Sequence, residues 1–299
     1  MKARDIQYER ARSLQDAVDL LHRHGPDARL IAGGQSLVPA LNLRLAAPEM
    51  LVDIGALAEL RGIRLVEVDG VERLRIGALT RHVDIERSAL IAAHVPLLAL
   101  AVKHVAHAAI RNRGTFGGSI AHADPASEFP ACVLALGAML HIAGRDGTRT
   151  VAAADFFLGL HETAIKAGEI LVAVDIDPLG EGFRSGFAEL ARRSGDYALV
   201  GVALQGRPLP GRTLFAVVAP AFFSVGDRPL LADAAAAILM DAAVADGDRI
   251  RLAQESLAAD LDPPTDPQMS GAARLHLARV LLGRVVAEVL AASQGVARG

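Results

Sequence analysis

The chain has 299 residues, 52% of them hydrophobic, which is enough for two or three domains with substantial cores. Its 31 basic and 34 acidic residues are interspersed and sum to a formal charge of −3, so no basic face suits nucleic acid or an anionic membrane surface. A single cysteine, Cys132, excludes an intrachain disulfide and leaves no cysteine set for an iron–sulfur cluster or a cysteine-rich zinc site. Residues 1–5 have no signal-peptide character and no uncharged apolar stretch of about 18 residues occurs, so no membrane span and a cytoplasmic location are expected.

In chain order, Leu14, Ala17, Val18 and Leu21 recur at helical spacing behind Ser13, an N-cap residue, and predict a short amphipathic helix ending at Gly25. Leu30-Ile31-Ala32 and Leu51-Val52-Asp53-Ile54 predict buried strands, making residues 1–55 a small α/β unit. Residues 62–68 and 74–78, separated by Asp69-Gly70, predict an antiparallel hairpin. Pro96 opens a helix expected to reach about Ala109, residues 128–139 return to helix, and 140–143 and 170–176 predict strands. The turn-rich Asp177-Pro178-Leu179-Gly180 marks a boundary between a second unit, 56–177, and a third, 178–299. In the third, strands over 182–191, 199–204 and 214–219 precede helices over 232–245 and 270–292, an α+β arrangement.

Two glycine pairs carry the chemistry. Ala32-Gly33-Gly34-Gln35-Ser36 follows a strand, and Thr115-Phe116-Gly117-Gly118-Ser119 follows Arg111-Asn112-Arg113-Gly114. Adjacent glycines let a backbone turn through positive φ and aim successive N–H groups into one concavity, as a pyrophosphate requires. Either pair alone also reads as an ordinary tight turn. Together, flanked by hydroxyls and arginines, they suit one dinucleotide gripped from two sides. No third glycine completes the G-x-G-x-x-G spacing of a Rossmann site. His122, Asp124 and Glu128 thread polar groups through a small, apolar stretch and are suited to bond a ribose, a flavin ring or a neighbouring protein. The ten histidines show no metal-binding spacing, so no metal site is expected; His104 and His107 are expected to share a helix face.

The stretch from Val105 to Glu128, with Ile110-Arg111-Asn112-Arg113-Gly114-Thr115-Phe116-Gly117-Gly118-Ser119 at its centre, resembles the FAD-binding medium subunit of the molybdenum hydroxylases. This is the family of carbon monoxide dehydrogenase and the multi-subunit xanthine dehydrogenases. The first loop with Leu37-Val38-Pro39, the strand at 51–54, Arg193-Ser194-Gly195-Asp196-Tyr197-Ala198 and the segment 274–281 are similar to the same family.

The resemblance implies an α+β protein of vanillyl-alcohol oxidase/p-cresol methylhydroxylase type, with two α/β subdomains enclosing FAD and a C-terminal antiparallel sheet with helices. It implies that Ile31, Ala32, Gly33, Gly34, Gln35, Ser36 and Leu37, with Thr115, Phe116, Gly117, Gly118 and Ser119, wrap the pyrophosphate through backbone amides. Glu128 matches an acidic FAD contact, Leu171 an apolar residue against the flavin, and Tyr197 an aromatic near the isoalloxazine ring; His122 and Asp124 lie beside the cofactor. No residue of this chain is required as a catalytic acid or base. Substrate oxidation is implied on a molybdopterin-binding large subunit, with electrons passing through [2Fe–2S] clusters of a small subunit to FAD and on to an external acceptor, in a dimer of heterotrimers. Many relatives have a lysine shortly before the Arg-x-Gly-Asp segment, where this chain has Ala188 and Glu189. A self-contained FAD oxidoreductase of the same fold and a scaffold that has lost FAD remain as alternatives.

Overall fold

The computed structural model describes residues 2–295. Strand and helix alternate at the start: β1 (Gln7–Arg10), α1 (Leu14–His24), β2 (Ala28–Ile31), α2 (Leu37–Asn42) and β3 (Met50–Asp53). β3 lies between β1 and β2 and pairs parallel with both. The predicted first helix forms because Ser13 Oγ accepts the Asp16 amide (3.1 Å) while Ala17, Val18, Leu20 and Leu21 are buried. β4 (Ile63–Val68) and β5 (Val71–Gly77) make the expected hairpin, with Asp69 and Gly70 at φ 54° and 76° as a two-residue type I′ turn demands.

Six short helices follow: α3 (His82–Glu86), α4 (Ala89–His94), α5 (Pro96–Ala101), α6 (Ala108–Arg111), α7 (Phe116–His122) and α8 (Glu128–Ala135). The single helix expected over 96–109 is therefore two. Ala106 turns to φ 44°, and the carbonyls of Val105 and Ala106 are taken by the Arg111 guanidinium (3.1 and 3.0 Å) instead of by helical amides. His104 and His107 consequently share no helix face; His104 sits in the turn and His107 is the N-cap of α6.

Next come β6 (Met139–Gly144), β7 (Gly147–Ala152), α9 (Ala153–Phe156), β8 (Phe157–Gly159), β9 (Glu162–Thr163) and β10 (Ile170–Ile176). β10 spans the predicted residues and is the middle strand of an antiparallel sheet ordered β4-β5-β10-β6-β7.

The remaining elements are β11 (Arg184–Ala191), β12 (Ala198–Pro208), β13 (Phe215–Phe223), β14 (Leu230–Leu231), α10 (Asp233–Met240), α11 (Asp246–Asp260) and α12 (Gly271–Gly295). β11 to β14 form one antiparallel sheet in chain order. One face packs Val200, Val202 and Phe222 with Leu282, Val285 and Val286 of α12. The other places Ala203, Ala221 and Phe223 in a core shared with Phe129 and Val133 of α8. The helix expected over 232–245 ends at Met240, and α11 is an addition to the expected elements. Its fully buried Arg249 donates to Thr213 Oγ1 (3.0 Å), to the Asp241 carbonyl (3.0 Å), to the Val244 carbonyl and to the Asp246 carboxylate. Asp260, at the other end of α11, accepts the Ala234 and Ala235 amides (2.8 and 3.1 Å) that open α10. Among the described residues no helix is long and apolar enough to cross a membrane.

In the central sheet the buried Asp175 of β10 is clamped from both sides. Arg75 of β5 donates Nε to Oδ1 (2.6 Å) and Nη2 to Oδ2 (2.7 Å), and His141 Nε2 of β6 lies 2.8 Å from Oδ2. Burial pushes the carboxyl pKa up, but these bonds prevail and hold it well below the usual carboxylate range. Asp175→Asn leaves the Arg75 guanidinium without its counter-charge and is expected to cost about 3 kcal/mol in urea unfolding at neutral pH. Because the folded pKa is depressed, this contribution is complete above the ordinary aspartate value of about 4 and fades as pH falls below it, so the two proteins converge in acid.

Candidate cofactor site

Ile31 closes β2, and Ala32 to Ser36 run from it to Leu37, the first residue of α2. A Cβ on Gly33 would stand 2.3 Å from the Arg113 carbonyl oxygen and 2.8 Å from Gly114 Cα, so glycine alone lets the two sequence segments meet. Gly34 has φ 72°, and the Gln35 side chain donates to the Gly33 carbonyl (2.9 Å), holding the turn. Among the described residues, the amides of Gly33, Gly34, Gln35 and Ser36 donate to no protein acceptor. Successive unpaired amides of this kind are what an anion-binding turn requires.

The second pair is not a loop. Thr115 Oγ1 accepts the Gly118 amide (3.2 Å) and caps α7, which contains both glycines. The Phe116 and Gly117 amides donate to the carbonyls of Thr80 and Ala78 (both 2.8 Å), and Ser119 donates to Thr115 (3.0 Å). Those four amides are engaged inside the protein, whereas the Thr115 amide donates to no acceptor among the described residues, so of the expected wrap over 115–119 it is the one amide left open. Gly117 is dictated by packing: a Cβ there would come within 2.4 Å of Ala78 Cβ. Phe116 is fully buried, edge-on to Phe129 at 5.1 Å. What remains for a ligand is Thr115, at the cavity wall, with the exposed Gly118 and the half-buried Ser119.

Gly33 and Thr115 face a cavity of about 380 Å³ that also receives Arg10, Arg61, Arg81 and Arg113. Asp53 shares this cavity; its Oδ1 accepts the Gly55 amide (2.7 Å) and its other oxygen lies 3.5 Å from Arg10 Nε. Arginines at four positions of the lining, one of them (Arg81) paired with Asp84 at 3.1 Å, beside the unpaired Gly33 amide, fit a dianionic pyrophosphate. Arg111 turns away, ion-paired with Glu86 at 3.1 Å. Arg10, Arg61 and Arg81 come from separate parts of the chain, and no motif around any of them marks it as part of a site.

Asp124 and Tyr197 line a second cavity, of about 280 Å³, with Ser224, Asp266 and Arg274. Tyr197 is 69% exposed and precedes β12. Ser224 ties this wall together: its amide donates to the Pro125 carbonyl (2.8 Å), its hydroxyl to the Ala198 carbonyl (2.7 Å), and its own carbonyl accepts Arg274 Nη1 (3.1 Å). Glu128 begins α8; burial, reinforced by the charges of Glu189 and Asp124, pushes its carboxyl up to about 8 despite an opposing backbone hydrogen bond. Glu189 has a buried side chain with one oxygen 3.3 Å from His104 Nδ1 and the other without a partner.

Leu171 lines neither cavity. It is 5% exposed, opposite Ile142 in the core of the central sheet, and its outward neighbour Val172 packs against the N-terminal unit. His122 lies apart from both cavities too, its ring stacked on His161 at 4.5 Å. His82, not anticipated from sequence, is buried edge-on to Phe129, and its backbone amide holds the Gly114 carbonyl (3.0 Å). Burial lowers the imidazole pKa to about 4, so a neutral ring supports the Arg113–Gly114 segment.

Residues 4–178 match the FAD binding domain in molybdopterin dehydrogenase, and residues 185–289 the CO dehydrogenase flavoprotein C-terminal domain; the chain belongs to this family of FAD-binding medium subunits. It is 35% identical to the 6-hydroxypseudooxynicotine dehydrogenase complex subunit alpha of Paenarthrobacter nicotinovorans, over 97% of this chain and 96% of that one. The carbon monoxide dehydrogenase medium chain of Afipia carboxidovorans is 36% identical, over 93% of this chain and 94% of that one. A solved carbon monoxide dehydrogenase from Hydrogenophaga pseudoflava, lacking the Mo-pyranopterin moiety of the molybdenum cofactor, superposes with a TM-score of 0.92 at 34% identity, over 98% of this chain and 100% of that one. The α+β FAD-binding fold, FAD as cofactor and the assignment to an oxidoreductase follow from these matches.

Gly33→Val must push the Arg113 backbone away, and the purified variant is expected to lose most of its bound flavin while its circular dichroism stays native. Glu128 supplies a second expectation. A carboxyl raised in the folded state contributes most below the unfolded glutamate value near about 4.3, and stability is lost as pH rises toward 8. Urea midpoints of the flavin-free protein should therefore rank Glu128→Gln above wild type at pH 9, with the gap closing toward pH 4.5.

Proposed function

We propose that this chain is the electron-transfer subunit of a molybdenum-containing dehydrogenase, receiving electrons from [2Fe–2S] clusters of a small partner subunit and passing them through FAD to an external acceptor. Substrate oxidation belongs, in this reading, to a molybdopterin-binding large subunit, and the assembly is a dimer of heterotrimers. The arginine-lined cavity at Gly33, the first of four successive residues with unpaired amides, is the observation that carries it. Bound there, FAD supplies the exchange between one-electron donors and two-electron acceptors.

The protein's own part is binding and positioning. Amides 33–36 and the guanidinium groups of Arg10, Arg61, Arg81 and Arg113 hold the diphosphate, with Asp53 fixing the Arg10 side of the cavity. Asp124 and Tyr197 form the wall of the second cavity, and Glu128, protonated at neutral pH, offers a hydroxyl donor in place of a further negative charge. The one cysteine, Cys132, is free and buried, so the clusters in this reading belong to another chain.

Purification from the native host under mild conditions tests this reading. A visible spectrum with flavin bands and added iron–sulfur absorbance, and two further chains on a denaturing gel, are expected. Flavin on a chain that co-purifies with no other protein and oxidises a substrate by itself would instead identify a self-contained oxidoreductase.

A further inference from the structure

Three metal-ligand side chains meet at the edge of the second cavity, whose lining includes Asp124 but neither histidine. His122 is the last residue of α7, Asp124 follows the left-handed Ala123 (φ 48°), and His161 occupies the turn between β8 and β9 at φ 55°. One ligand atom from each lies within 4.8 Å of the other two. Tetrahedral zinc with bonds near 2 Å holds its donors about 3.3 Å apart, so small side-chain rotations that draw the three together would surround one cation.

The hydrogen bonds around the cluster set the donors in the required state. His161 Nδ1 lies 3.0 Å from the His122 carbonyl oxygen, and a carbonyl only accepts, so Nδ1 carries the proton and Nε2 keeps its lone pair. A metal-bound histidine commonly has this arrangement, its second nitrogen donating to a carbonyl or carboxylate. Asp124 Oδ1 accepts the Ala126 amide (2.9 Å), which orients the carboxylate and leaves its other oxygen free of that bond. The two rings are stacked at 27° between planes, and both histidines are exposed, so an ion and its remaining ligands can enter from solvent.

We propose that His122, Asp124 and His161 form a binding site for a divalent transition-metal ion, zinc in the first instance, with two imidazole nitrogens and one carboxylate oxygen as ligands and a fourth position open. Two nitrogens and one oxygen select zinc, copper or nickel over magnesium or calcium, which take oxygen-rich shells. The ion would fasten the end of α7 to the β8–β9 turn, two segments separated by 39 residues along the chain. The site stands on these residues alone and does not depend on the electron-transfer reading.

The experiment uses the full, untagged chain loaded with FAD, equilibrated with buffered zinc near micromolar free concentration and excess magnesium, with bound metal measured by elemental mass spectrometry. One zinc per chain is expected. Asp124→Asn and His161→Asn should each weaken zinc binding by roughly tenfold or more, and His22→Ala should leave it unchanged. Asparagine is chosen at 161 because it tolerates the left-handed backbone there, and circular dichroism confirms that each variant is folded. Zinc that is not retained, that is retained only after FAD is stripped, or that is held equally well by His161→Asn overturns the proposal.

Discussion

Gly33 approaches the Arg113–Gly114 backbone so closely that no side chain fits between them, and the geometry of the cofactor cavity descends from that contact. It sets Ala32 and Gly33 on one wall of the space that Thr115 and Arg113 border. The opposing segment is itself immobilised, because Phe116 and Gly117 hang from the carbonyls of Thr80 and Ala78 just beyond β5. β5 pairs with β10, and the Arg75–Asp175–His141 clamp joins β5, β10 and β6. A charge cluster in the sheet thus underwrites the position of the segment that borders the cavity.

Charge is divided along the site. The cavity at Gly33 collects guanidinium groups, whereas Asp124, Glu128 and Glu189 gather farther along the chain's path. A flavin dinucleotide is itself polarised in this sense, with its negative charge on the diphosphate and an uncharged oxidised ring system. The acidic end limits its own repulsion by keeping a proton on Glu128.

Features legible in the sequence were those that one short segment encodes. Ser13 with its apolar spacing, the Asp69-Gly70 turn and the apolar run of β10 all formed where expected. The Gly33-Gly34 cradle was legible too, because glycine after a strand has a local meaning. The Gly117-Gly118 pair misled for the same reason: glycine suggests a turn, but the Thr115 cap and docking on Ala78 make it helical. α11 was obscured by its charged residues, one of which, Arg249, is a buried hub. Arg10, Arg61 and Arg81 reach one cavity from three remote positions, and His161 reaches His122 through the fold alone, so neither grouping leaves a spacing to read.

The series of bonds through Ser224 has a mechanical meaning for the C-terminal helix. Arg274 sits in the first turns of α12 and grips the carbonyl of a residue whose amide and hydroxyl in turn hold Pro125 and Ala198. Arg274 is itself part of the wall beside Asp124 and Tyr197, so the start of the helix and the cavity lining form one bonded unit.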